Sequence, residues 1–118
     1  RPQGHGYTSL AVDQANPFFP TGQTITGHEF HYCRILSKND AETSTAFNVL
    51  KGTGLDGRRE GLCRKNILAG FTHVHALGTP GWADAIMARA SQYHRKKLNQ
   101  APVYVMDKPD IVKTEQTA

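Results

Sequence analysis

Four of the six histidines in this chain fall into two short groups, Gly27-His28-Glu29-Phe30-His31-Tyr32 and Phe71-Thr72-His73-Val74-His75. On an extended strand alternate residues share a face. Glu29 and His31 would then lie together with His28 opposite, and Phe71, His73 and His75 would share one side. His73 and His75 close the most apolar run of the chain, Ile67 to Val74. A strand would emerge from the core there, and active sites of α/β proteins gather at such strand ends. Three chemistries compete. The plainest is structural, with each imidazole hydrogen-bonded or simply exposed. A second is zinc ligation by His-x-His, His-x-x-His and Glu29; the thiolates or HExxH helix that normally accompany zinc spacings are absent, so no metal is assigned. The third is acid–base work, with His73 taking a proton from a nucleophile supplied elsewhere.

The nucleophile is the difficulty. A cysteine or serine on a strand-to-helix elbow needs small residues on both sides. Cys33 lies in His31-Tyr32-Cys33-Arg34 and Cys63 in Gly61-Leu62-Cys63-Arg64, and neither fits. No Gly-x-Ser-x-Gly occurs, and no glycine-rich loop of the P-loop or dinucleotide type cradles a phosphate. The two cysteines stand thirty positions apart without a CxxC pair, which reads as a reduced pair rather than a disulfide.

The elements that must position these residues are mostly strands. Tyr7 to Val12 alternates and runs into the breaker cluster Asn16 to Gly22. Thr24 to Thr26 and Glu29 to Leu36 are β-rich, as one bent strand or two. Thr45 to Leu50 is a further strand, reversed by Gly52-Thr53-Gly54 and Asp56-Gly57. Ile67 to Val74 reads as a central strand. One helix follows Thr79-Pro80, with Trp82, Ile86, Ala90, Tyr93 and Lys97 along one face, and Trp82 and Tyr93 read as core anchors. Val103 to Met106 reads as a short edge strand. The expected organisation is one domain over 1–106 and a flexible tail over 107–118.

The chain has 118 residues, 38% of them hydrophobic, and a net charge of +4. Its mean hydropathy is −0.51. No apolar run approaches the ~20 residues needed to span a bilayer, and no charged-then-apolar leader opens the sequence. The expectation is a cytoplasmic protein with no membrane partner. The basic balance permits nucleic-acid binding without demanding it. A small binding module using Arg58, Arg59, Arg64 and Lys65 on nucleic acid or an anionic tetrapyrrole is the alternative reading. Aromatics are not interleaved with those side chains, so nucleic acid is the lesser expectation.

Several segments occur together in a familiar order: Arg1 to Tyr7, Asn16 to Pro20, Gly27 to Tyr32 and Asn66 to His75. Together they resemble the C-terminal end of cobyrinic acid a,c-diamide synthases. His75 to Ala83 is similar to the related siroheme amidases. The resemblance covers roughly residues 1 to 90. It implies an α/β fold, the C-terminal portion of a class I glutamine amidotransferase-like domain, strand-rich with one main C-terminal helix and therefore α+β-looking in isolation. It implies part of an ATP-dependent, glutamine-hydrolysing ligase that amidates tetrapyrrole side-chain carboxylates. ATP and magnesium would belong to an N-terminal domain absent from this chain, as would the elbow cysteine.

On that resemblance His73 is the base for the cysteine, and Gly27, His28, His31 and Tyr32 line the same site or its substrate approach. Ordinary class I amidotransferases place an orienting glutamate two residues after the histidine; here that position is His75. Glu29 could substitute if its strand lies alongside. The partners implied are the missing regions of the same protein, glutamine and the tetrapyrrole. Opening on Arg1-Pro2 without Met, the chain reads as a trimmed fragment, inactive alone. A sheet severed from its neighbours also exposes an edge, which opens a route to a homodimer.

Overall fold

A computed structural model describes residues 1–36 and 41–100. Six strands form one sheet: β1 (Gly4–Val12), β2 (Thr24–His31), β3 (Ser44–Lys51), β4 (Arg59–Arg64), β5 (Ile67–Ala69) and β6 (Thr72–Val74). Their spatial order is β5-β4-β3-β1-β2-β6, and each of these pairings is antiparallel. A 3-10 turn (Ala76–Gly78) and one helix, α1 (Trp82–Asn99), follow. The strand-rich architecture with a single C-terminal helix is as the sequence suggests.

Local chemistry explains the reversals. In the breaker cluster the Asn16 carboxamide oxygen accepts from the amides of Phe18 and Phe19 at 3.0 and 2.8 Å, an Asx-type turn that ends β1 and returns the chain to β2. Between β3 and β4 the Asp56 carboxylate accepts from the amides of Arg58 and Arg59. Those two amides, with the nearby guanidinium groups, hold the Asp56 carboxyl below its ordinary value. Arg59 then spans the sheet: its guanidinium forks onto Asp13 at 2.6 and 2.8 Å and reaches the Thr45 hydroxyl.

The largest departure from expectation concerns Ile67 to Val74. This run is not one central strand but two edge strands of three residues each, interrupted at Gly70 and Phe71. The interruption forces the sheet to curl. Three virtual bonds from Ala69 to Thr72 span at most about 11 Å. A flat six-stranded sheet would hold its edges about 24 Å apart. The sheet therefore rolls until its two edges approach each other at Gly70-Phe71. The core lies inside the roll: Leu10, Val12, Ile25, Ala46, Phe47 and Cys63 are buried, with Phe19, Val49, Leu68 and Val74 packed against them.

Helix α1 starts where the sequence places it, just after Thr79-Pro80, with Gly81 at φ 83° as its N-cap. Trp82 and Ile86 border an apolar cavity of about 450 Å³ beside Leu10, Phe19, Phe47 and Val74. Beyond Arg89 every helical residue is exposed. Tyr93, expected in the core, is 69% exposed; the apolar stripe outruns the sheet it could pack on. Among the described residues no helix is long and apolar enough to cross a membrane. Cys33 is exposed, Cys63 is buried, and both are free thiols. The expected edge strand at 103–106 and tail at 107–118 lie outside the described residues.

Candidate functional site

The histidine groups meet because β2 and β6 are neighbours. Gly27 pairs with Val74, His28 with His73 and Glu29 with Thr72. Directly opposed residues on adjacent strands share a face. His28 and His73 therefore stand side by side, with ring centroids 4.8 Å apart. Both rings are exposed. Tyr7 lies opposite His28 on β1, so a row of Tyr7, His28 and His73 crosses three strands. Next to it His5 meets Phe30 edge-on at 5.5 Å, and Phe30 meets Tyr32 at 5.3 Å.

The strand parity that brings His28 to His73 takes Glu29 away. Glu29 is 2% exposed and points into the roll, on the other side of the sheet from His73. Its carboxylate accepts from the amides of Thr53 at 2.6 Å and Gly54 at 2.9 Å. Its strand does lie alongside β6, yet its side chain serves the β3–β4 turn. In this arrangement Glu29 does not orient His73.

His75 is also committed elsewhere. Its Nδ1 accepts from the Leu77 amide at 3.2 Å, capping the 3-10 turn. With Nδ1 as acceptor, the neutral ring carries its proton on Nε2, which leaves no nitrogen to accept from His73. The side chain beside His73 is His28.

His31 belongs to the interior. Its Nδ1 lies 2.9 Å from the Cys33 carbonyl. A carbonyl only accepts, so Nδ1 carries a proton. Nε2 then faces the Glu29 carboxylate at 3.4 Å, a contact that attracts only when a second proton sits there. The ring stacks on Phe71 with centroids 3.8 Å apart and planes 3° from parallel. Gly4 sits against both groups: a Cβ there would overlap His31 Nε2 and lie 2.8 Å from Glu29 Cδ. Gly27 is equally tight, for a Cβ would collide with the His73 carbonyl. Tyr32 is exposed beside Phe30.

Sequence reading missed Glu60. This residue of β4 is 1% exposed, and its Oε1 accepts from the amides of Phe71 at 2.6 Å and Thr72 at 3.3 Å. Burial pushes its carboxyl above the ordinary value, against the pull of those backbone donors. A glutamate within a strand ordinarily reads as solvent-facing, and no residue adjacent to Glu60 in sequence signals otherwise. Among the described residues no three His, Cys, Asp or Glu side chains converge as a metal-ligating set. Of the four basic side chains weighed for anion binding, Arg59 is held by Asp13 and Arg64 by Glu42.

The rolled antiparallel sheet thus presents a paired-histidine face, with the buried Glu60 carboxyl holding the entry to β6 from inside. Residues 2–81 match the CobB/CobQ-like glutamine amidotransferase domain, and the chain belongs to that family. Among curated relatives it is 40% identical over 83 residues to the cobyrinate a,c-diamide synthase of Magnetococcus marinus, covering 70% of this chain and 18% of the relative. It is 35% identical over 80 residues to the enzyme of the same name from Methanosphaera stadtmanae, with 68% and 18% covered. It is 36% identical over 88 residues to that of Archaeoglobus fulgidus, with 75% and 19% covered. The chain thus spans less than a fifth of the length of these relatives. No solved structure matches it.

Proposed function

We propose that this chain is the base-bearing portion of a glutamine amidotransferase domain, of class I type, in an ATP-dependent ligase that amidates tetrapyrrole carboxylates. The substrate class is that of cobyrinate, the compound in the relatives' names; siroheme is the other tetrapyrrole that the segment His75 to Ala83 suggests. The observation that carries the reading is His73: within the matched span it is exposed, in the middle of the edge strand β6, with His28 paired beside it.

Each residue then has a task. His73 removes the proton from a cysteine thiol outside this chain, and the thiolate attacks the glutamine amide. The imidazolium so formed protonates the departing ammonia. Water, activated by the same imidazole, releases glutamate from the thioester. His28 is the side chain beside that imidazole, and Tyr32 and Phe30 extend the surface toward the substrate approach. ATP and magnesium do not fit here: no phosphate-cradling loop and no convergent carboxylates are present among the described residues. They are assigned to regions outside this chain.

The test is a chimera in which this segment replaces the matching 83 residues of the Magnetococcus marinus enzyme. His73→Ala should abolish glutamine-dependent amidation while ammonia-dependent amidation persists. Glutamine-dependent turnover surviving in His73→Ala overturns the assignment.

A further inference from the structure

The strand that carries His73 is only three residues long and pairs with one neighbour. A ladder that short fixes orientation poorly, and something else must hold the entry to β6. The two residues that lead into His73 are Phe71 and Thr72, and both donate their amides to one carboxylate oxygen, Oε1 of Glu60. Gly70 is pressed onto the same group: a Cβ there would overlap Oε1 and lie 3.0 Å from Cδ. His31 covers the Phe71 ring by parallel stacking. The turn is thus held between a buried carboxylate and a buried imidazole. Neither group belongs to the proton transfers proposed above, and a buried carboxyl costs free energy unless it is hydrogen-bonded, as Glu60 is to these two amides.

We propose that Glu60 is a positioning residue: by holding the amides of Phe71 and Thr72 it sets the backbone from which the His73 imidazole is presented beside His28. The proposal rests on the reading of His73 as the base for its functional meaning, but its geometric content is independent of that reading. What the task requires is an acceptor oxygen at this reach, and Oε1 accepts from both amides at 2.6 and 3.3 Å. The conservative amide would still offer one oxygen at the same reach.

The experiment has two readouts. On the 118-residue chain, nuclear magnetic resonance follows the exchange protection of the Phe71 and Thr72 amides and the ring-to-ring cross-peaks between His28 and His73. Glu60→Ala should lose both while the amides of Leu10 and Ile25 stay protected; Glu60→Gln should restore the cross-peaks. In the chimera, misplacing a catalytic group by about 1 Å costs on the order of 100-fold. Glu60→Ala should therefore lower glutamine-dependent kcat by about that factor with KM little changed, and Glu60→Gln should recover most of it. Where Glu60→Ala does not fold, Gly70→Ala decides by the same cross-peaks, since its methyl displaces the carboxylate without removing it. Unchanged His28–His73 cross-peaks in a folded Glu60→Ala or Gly70→Ala chain overturn the proposal. If His73→Ala keeps glutamine-dependent turnover while the cross-peaks still depend on Glu60, the functional reading has failed and the positioning has not.

Discussion

Replacing Gly4 by alanine isolates the interior network in a single methyl group. Gly4 lies outside the left-handed region, so the substitution brings no backbone strain, and its whole cost is steric. The methyl would overlap His31 Nε2 and crowd Glu29 Cδ at 2.8 Å and Oε2 at 2.9 Å. Neither neighbour can swing aside cheaply. Glu29 is held by two backbone amides, and His31 by the Cys33 carbonyl and the Phe71 ring. Displacing one charged hydrogen bond costs about 1.5–3 kcal/mol, and overpacking alone about 1–3 kcal/mol. The expected loss is therefore about 2–4 kcal/mol, since the two effects partly replace each other. At about 4–8 °C per kcal/mol for a domain of this size, Tm should fall by about 10–30 °C. Circular dichroism during heating reads this directly. Gly78→Ala, where nothing lies within 4 Å of the new methyl, is the control and should stay within about 0.5 kcal/mol of the parent. In a His31→Ala background the Gly4→Ala cost should shrink, because contacting residues couple. A Gly4→Ala loss below about 0.5 kcal/mol, or full additivity with His31→Ala, would refute the idea that this network is rigid.

Two further outcomes follow from the same structure. The Arg59 guanidinium holds the Asp13 carboxyl below its ordinary value of 3.8. A depressed acid stabilises the fold above that value and ceases to as pH falls through its folded one. Asp13→Asn should cost about 0.5–1 kcal/mol at pH 7, modest because the pair is part exposed and screened. The gap in urea midpoints between variant and parent should shrink as pH is lowered below 3.8; a gap that widens on acidification would contradict the sign. For the thiols, maleimide should label exposed Cys33 well before buried Cys63, whose thiol pKa is pushed up by burial. A thiol-alkylating glutamine analogue should leave both unmodified, and a stoichiometric adduct on either cysteine would mean that this chain holds its own nucleophile.

What the sequence made legible follows from how far apart the deciding contacts lie. The first three strands and the helix announce themselves through alternation, the Asn16 turn and the four-residue spacing after Thr79, all local signals. The pairing of His28 with His73 has no local signal, because it depends on which strands become neighbours. The sequence did place Glu29 and His31 on one face, but not that the face is the interior. Ile67 to Val74 looked like one strand because its residues are mostly apolar; Gly70, seated on the Glu60 carboxylate, divides it. Tyr93 was misjudged because helical periodicity says which face is apolar and not how far the opposing sheet extends. Glu60 was invisible for a related reason: its burial is decided by amides eleven and twelve positions ahead.

The rolled sheet has a consequence for the order in which the molecule assembles. The β1–β2, β3–β4 and β4–β5 pairings join strands adjacent in sequence, whereas β6 must find β2 across more than forty positions and then pairs through only three residues. Loop-closure entropy delays such contacts, so β6 should dock late and be among the first strands to open. The imidazole face therefore has its own opening equilibrium, separable from unfolding of the core. Amide exchange at Thr72 to Val74 should run faster than at Leu10 or Ile25, and the closed fraction it reports is the fraction of time in which His73 is in place.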